Sequence, residues 1–162
     1  MPRRRPPADL HPDLLCLAPL LGTWSGRGHG VYPGTTSFEF DEEMTFEANG
    51  GRHLAYRQRT THPETGAGMH VETGYWRPVL PDRVEAVIAH PTGLAEVYEG
   101  TVDEGLIELR STVVAHTTTA KRVEIVERSF RIHGDAMRYT VRMAASGVPL
   151  TDHLSAELHR AD

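Results

Sequence analysis

Ten histidines and a single cysteine set the chemistry open to this 162-residue chain. An imidazole can ligate a metal, move a proton near neutral pH or donate a hydrogen bond. Cys16 has no second cysteine, so an intrachain disulfide is excluded, as are thiolate-based zinc and iron–sulfur sites. Most histidines in a chain of this kind serve as surface or packing residues, so only spacing and context can single out a ligand. A hydrolytic metal site built on His70, His90 and His153 finds no carboxylate at convincing ligand spacing.

The second chemical signal is a run of glycines. Residues 22–33 read G-x-W-x-G-x-G-x-G-x-Y-P, with glycines at alternate positions. On a strand these share one face and remove side chains where another backbone, the N-terminal helix or a flat ligand must come close. No helix follows, so the run is not a phosphate cradle.

The elements that must position these residues read as strands. Phe38, Phe40, Met44 and Phe46 share one parity, while Glu39, Glu43 and Glu47 take the other. Met137, Tyr139, Val141 and Met143 alternate with Arg138, Thr140 and Arg142 in the same way. Turn signals such as Asn49-Gly50-Gly51, Pro91-Thr92-Gly93 and His133-Gly134-Asp135 bracket the strands. They predict strands over 23–31, 36–48, 52–62, 68–79, 83–90, 94–102, 106–116, 120–132, 135–145 and 149–160. Residues 12–21 read as a short helix broken by Pro19, and the proline-rich residues 1–10 as a loose tail before one domain over 11–162. The fold class is all-β. Ten strands joined by tight turns predict an antiparallel up-and-down barrel, because closure removes the exposed edges. A barrel of that width encloses a cavity.

Composition narrows the partners. A net charge of −5 and a pI near 6.0 suit neither nucleic acid nor an anionic membrane. Arg3, Arg4 and Arg5 ahead of the apolar residues 14–21 superficially resemble a signal peptide. Asp9, His11 and Asp13 intervene, no small-residue cleavage site follows, and the expectation is a cytoplasmic protein.

Residues 22–28, G-x-W-x-G-x-G, resemble the signature of the nitrobindin family, haem-binding β-barrels also called peroxynitrite isomerases. The likeness continues through His70-Val-Glu-Thr-Gly-Tyr75, Ala89-His-Pro-Thr-Gly93 and the ending Pro149-Leu-Thr-Asp-His-Leu-Ser-Ala-Glu-Leu-His159, closest to actinobacterial members. The resemblance implies a fatty-acid-binding-protein-like barrel of about ten strands with one haem b per chain. The iron ligand it implies is His153, which is thereby also the catalytic residue. It implies nitric oxide binding, and isomerisation of peroxynitrite to nitrate at ferric iron. By position, Met69, His70, His90 and Met143 fall where that family lines its haem pocket. Many members carry Tyr-Pro-Thr, whereas here Tyr32-Pro33 is followed by Gly34, leaving Thr35 as the substitute haem contact.

Two tensions remain in the pattern. Leu150, Leu154, Ala156 and Leu158 share a parity opposite to His153, so either a bulge reverses the register or the leucines pack outside. Met69 and His70 are adjacent, and ideal pleating cannot send both inward. His159 and His29 read as surface residues, and Lys121 and Arg122 as solvated, with haem propionates as the alternative. No general acid or base stands out; His70 and His90 are candidate helpers only. The rival function is a non-catalytic carrier of a fatty acid or other apolar ligand, which would not need His153. The oligomeric state stays open, a homodimer included.

Overall fold

Alternation of apolar and polar side chains produces ten antiparallel strands in the computed structural model, which describes residues 5–161. They are β1 (Gly22–Gly30), β2 (Phe38–Ala48), β3 (Leu54–Thr61), β4 (Gly68–Val79), β5 (Arg83–His90), β6 (Leu94–Asp103), β7 (Leu106–His116), β8 (Val123–His133), β9 (Ala136–Ala145) and β10 (Val148–Arg160). Each pairs with its sequence neighbour, and β1 pairs with β10 to close the barrel. The strands start and stop within three residues of the boundaries expected from turn signals. Alternate residues face in: Phe40, Met44 and Phe46 on β2, Leu54 and Tyr56 on β3, Phe130 and Ile132 on β8.

The glycine run lies along the closing seam. A side chain at Gly26 would drive into the carbonyl of Glu157 on β10, and one at Gly28 into the Phe40 ring. These glycines serve close approach of a backbone and of packed rings. His29 and His159 point to solvent, as expected.

The N-terminal segment is a 3₁₀ helix, Pro12–Leu20. Pro19 does not break it, contrary to expectation; it lies inside the last turn. Leu14, Leu17 and Leu20 recur every third residue, the repeat of a 3₁₀ helix, and all three are fully buried. The Trp24 indole N–H donates to the Leu20 carbonyl at 2.8 Å, tying the helix to β1. Of the expected tail, residues 1–4 lie outside the described residues. Leu10 packs on the core, and its N–H bonds the Pro7 carbonyl at 3.1 Å.

Topology decides where a site can be. Up-and-down connections alternate ends, so the β1–β2, β3–β4, β5–β6, β7–β8 and β9–β10 turns gather at one mouth. The helix leads into the start of β1 and plugs the other end. No helix among the described residues is long and apolar enough to cross a membrane.

Candidate functional site

A cavity of about 380 Å³ opens at that mouth, within the usual range for small-molecule sites. Its upper wall is largely apolar, with Phe38, Phe40, Met69, Val141, Met143 and Leu154. His70, His90 and His153 project into the same space, and Lys121 lies on its boundary. Four strand ends and their turns therefore bring Met69, His70, His90, Met143 and His153 together, five of the six residues expected at the site. Thr35 does not line this cavity. It lies in a neighbouring crevice with Val31, Pro33 and Asp152, where its hydroxyl donates to the Tyr32 carbonyl at 2.9 Å.

His153 owes its direction to a β-bulge. Asp152 pairs with Arg142, but Leu154 pairs with Val141, the very next residue on β9, so His153 is an extra residue in β10. Ala156 and Leu158 keep the inward parity, Leu154 lines the cavity, and His153 reaches it too. Of the two readings left open by parity, the bulge is the one observed.

The released backbone is reused. The Val31 N–H donates to the His153 carbonyl at 2.8 Å, and His153 Nδ1 lies 3.0 Å from the Val31 carbonyl. A carbonyl only accepts, so Nδ1 carries the proton and Nε2 keeps a free lone pair. Burial lowers the pKa of His153, against the Val31 hydrogen bond, and favours the neutral ring. The Tyr32 ring meets the imidazole edge-on, with centroids 5.4 Å apart. The Tyr32 hydroxyl lies 3.4 Å from the carbonyls of Met143 and Ala145, and Lys121 Nζ lies 4.9 Å from its ring centre. The Tyr-Pro end of the glycine motif thus braces the β1–β2 turn against His153.

A second bulge answers the Met69–His70 problem. Thr60 pairs with His70, while Thr61 pairs with Gly68, so Met69 is supernumerary in β4. Both side chains line the cavity as a result.

Below the apolar wall lies a buried polar floor that spacing alone did not reveal. Arg128 forks onto Glu72, with Nη1 2.5 Å from Oε1 and Nη2 3.2 Å from Oε2. Its Nη2 also reaches Glu96 at 3.1 Å, and its Nε reaches the Tyr98 hydroxyl at 2.9 Å. The Tyr56 hydroxyl donates to Glu72 Oε1 at 2.6 Å. Burial alone would raise the Glu72 pKa, but Arg128, His70 and His90 hold it well below the usual carboxylate range. Glu42 differs. Burial pushes its carboxyl up to about 8, despite a hydrogen bond from Tyr139.

The residues fit a haem. His153 presents one bare imidazole nitrogen with its other nitrogen anchored on a backbone carbonyl, the arrangement that fixes a ligating histidine. Flat apolar and thioether side chains surround the space before it. The floor does not suit a fatty acid. Arg128 is the one arginine lining the cavity, and two carboxylates already hold it.

Comparison with known proteins agrees with this geometry. The chain is 51% identical over 158 residues to a peroxynitrite isomerase 2 of Mycobacterium avium, covering 95% of this chain and 98% of that protein. It is 49% identical over 160 residues to a peroxynitrite isomerase of Nocardia farcinica, covering 96% and 95%. The crystal structure of Rv2717c from M. tuberculosis superposes with a TM-score of 0.89 at 44% identity, covering 94% of this chain and 99% of that one. Residues 13–160 match the family described as the THAP4-like, heme-binding β-barrel domain, and with that match and its closed ten-stranded barrel the chain belongs to this family.

Proposed function

We propose that this chain binds one haem b through His153 and isomerises peroxynitrite to nitrate, with nitric oxide as a further ligand. The observation that carries the reading is the β10 bulge, which turns His153 into the cavity and pins Nδ1 on the Val31 carbonyl at 3.0 Å. When bound, ferric haem would supply an iron centre able to take up a small ligand. Everything else falls to the chain. Val31 and Tyr32 hold the imidazole in its neutral, ligating tautomer. Met69, Met143 and Leu154 exclude water from the cavity and confine small fragments there. His70 and His90 stand at its polar side. Lys121 supplies a positive charge at the rim for haem propionates. The names of the Mycobacterium avium and Nocardia farcinica relatives support the same activity here. The single free cysteine and acidic net charge support a cytoplasmic, single-domain protein acting on small molecules rather than nucleic acid or membrane.

Hemin titration followed by the Soret band tests the ligand. Wild type and His159→Ala bind tightly, whereas His153→Ala folds and does not. Stopped-flow decay of peroxynitrite tests the reaction at matched protein concentration. Haem-loaded protein speeds decay to nitrate and suppresses tyrosine nitration, and haem-free protein does neither. Equal rates for the two forms would refute the isomerase reading.

A further inference from the structure

We propose that His70, Glu72 and His90 form a second metal site inside the barrel, separate from the haem ligand and specific for a divalent first-row transition ion such as Zn(II). Three donor atoms converge there. His70 Nε2 and His90 Nδ1 are 3.1 Å apart, and each lies 3.4 Å from Glu72 Oε2. Bonds of about 2.05 Å to zinc in tetrahedral array place neighbouring ligands about 3.35 Å apart. The triangle formed by these atoms is one face of such a tetrahedron. The ion would sit on the cavity side, because all three residues line the cavity, and its fourth position would open into it.

Hydrogen bonding accounts for one side of this triangle, His70 Nε2 to His90 Nδ1, and not for the other two. At 3.4 Å both carboxylate contacts are longer than an ordinary N–H···O bond. Glu72 is also shaped for the task. Its Oε1 is held by Arg128 at 2.5 Å and Tyr56 at 2.6 Å, while its Oε2, which accepts only the longer Arg128 Nη2 contact at 3.2 Å, is turned toward the two imidazoles.

The surroundings supply an independent reason. His90 Nε2 is hydrogen-bonded to Glu96 Oε1. A carboxylate on the far nitrogen fixes the tautomer that leaves Nδ1 free to ligate, the outer arrangement that accompanies metal-bound histidine. Charge points the same way. Glu72 and Glu96 are two buried carboxylates against the one guanidinium of Arg128, so the floor favours a further cation. Two imidazoles with one carboxylate suit zinc-class ions and not magnesium or calcium, which take oxygen ligands. An entry route exists, since the His70 side chain is 35% exposed at the mouth. Parity in the sequence hides this set: Glu72 stands two residues beyond His70 on the same face of β4, and pairing with β5 brings His90 alongside.

The test is zinc binding by the full-length, haem-loaded chain after treatment with a chelator. Calorimetric titration with Zn(II), with elemental analysis after desalting, reads stoichiometry. One zinc per chain beyond the haem iron is expected. His70→Ala, a change at a partly exposed side chain whose folding far-UV circular dichroism checks, loses stoichiometric zinc. Glu96→Gln keeps all three ligands and weakens binding on the order of 10- to 100-fold, the usual effect of an outer partner. His153→Ala, measured without haem, still binds one zinc, which separates this site from the haem ligand and makes the result independent of the isomerase reading. Absence of stoichiometric zinc in wild type would overturn the proposal. So would unchanged affinity in His70→Ala, or zinc taken up by the haem-free chain alone.

Discussion

Replacing Glu42 by glutamine changes one buried proton and almost nothing else. Glu42 faces inward on β2, and burial, reinforced by the charge of Glu72, pushes its carboxyl from about 4.5 up to about 8. Its Oε2 accepts from the Tyr139 hydroxyl, while its Oε1 and Gln58 Oε1 have no partner. Two acceptors without a donor are what a missing hydrogen looks like. A proton on Glu42 Oε1 would satisfy it and, with Gln58 adjacent, Gln58 as well. Between pH 4.5 and 8 the folded chain keeps this proton while the unfolded chain releases it. The folded state binds more protons there, so stability is fully present below pH 4.5 and falls as pH rises toward 8. The span from about 4.5 to about 8 corresponds to about 5 kcal/mol. In Glu42→Gln the amide donates permanently where the proton stood and cannot be titrated. The variant should match wild type near pH 4 and exceed it by up to about 5 kcal/mol above pH 8. Urea unfolding of both proteins from pH 4 to 9 reads the difference, in which every other titrating group cancels. Parallel curves across that range would refute a protonated Glu42.

Three further changes probe the frame of the site. Arg128→Met strips the shared cation from Glu72 and Glu96, and urea unfolding should show a loss of about 3–5 kcal/mol, the cost of leaving a buried charge unpaired. Gly26→Ala forces a methyl group into the Glu157 carbonyl at the β1–β10 seam and should cost at least about 1–3 kcal/mol by the same assay. Tyr32→Ala removes the ring that braces His153, so haem transfer to an acceptor globin should accelerate about 10- to 100-fold while circular dichroism stays unchanged.

Period-two alternation and turn residues carried the barrel. Inward positions are apolar along most of each strand, and a glycine stands in every reversal except β4–β5, which has Pro81-Asp82, and β7–β8, so ten strands and their order could be read directly. The helix was legible as an element but not as a type. Its Leu14, Leu17, Leu20 repeat is the mark of a three-residue turn, and Pro19 obscured it by suggesting an interruption. His153 was accessible through its local ending alone. Its direction was not, because a bulge inserts one residue without any compositional signature, and Asp152-His153 contains no glycine to announce one.

The polar floor was hidden for a different reason. Alternation was read from apolar residues and from charges on the opposite parity, so charges on the apolar parity dropped out of view. Glu42 sits between Phe40 and Met44 on the inward face of β2, and Arg128 between Val126 and Phe130 on that of β8. Each is an ionisable side chain where an apolar one belongs, and burial of such a group is costly unless another strand supplies a partner. For Arg128 that partner comes from β4 and β6, and for Glu42 from β9, all distant in sequence. The exceptions to a strand's alternation therefore mark the residues that must find one another across the barrel, and three of them, Glu72, Glu96 and Arg128, converge against His70 and His90 at the cavity.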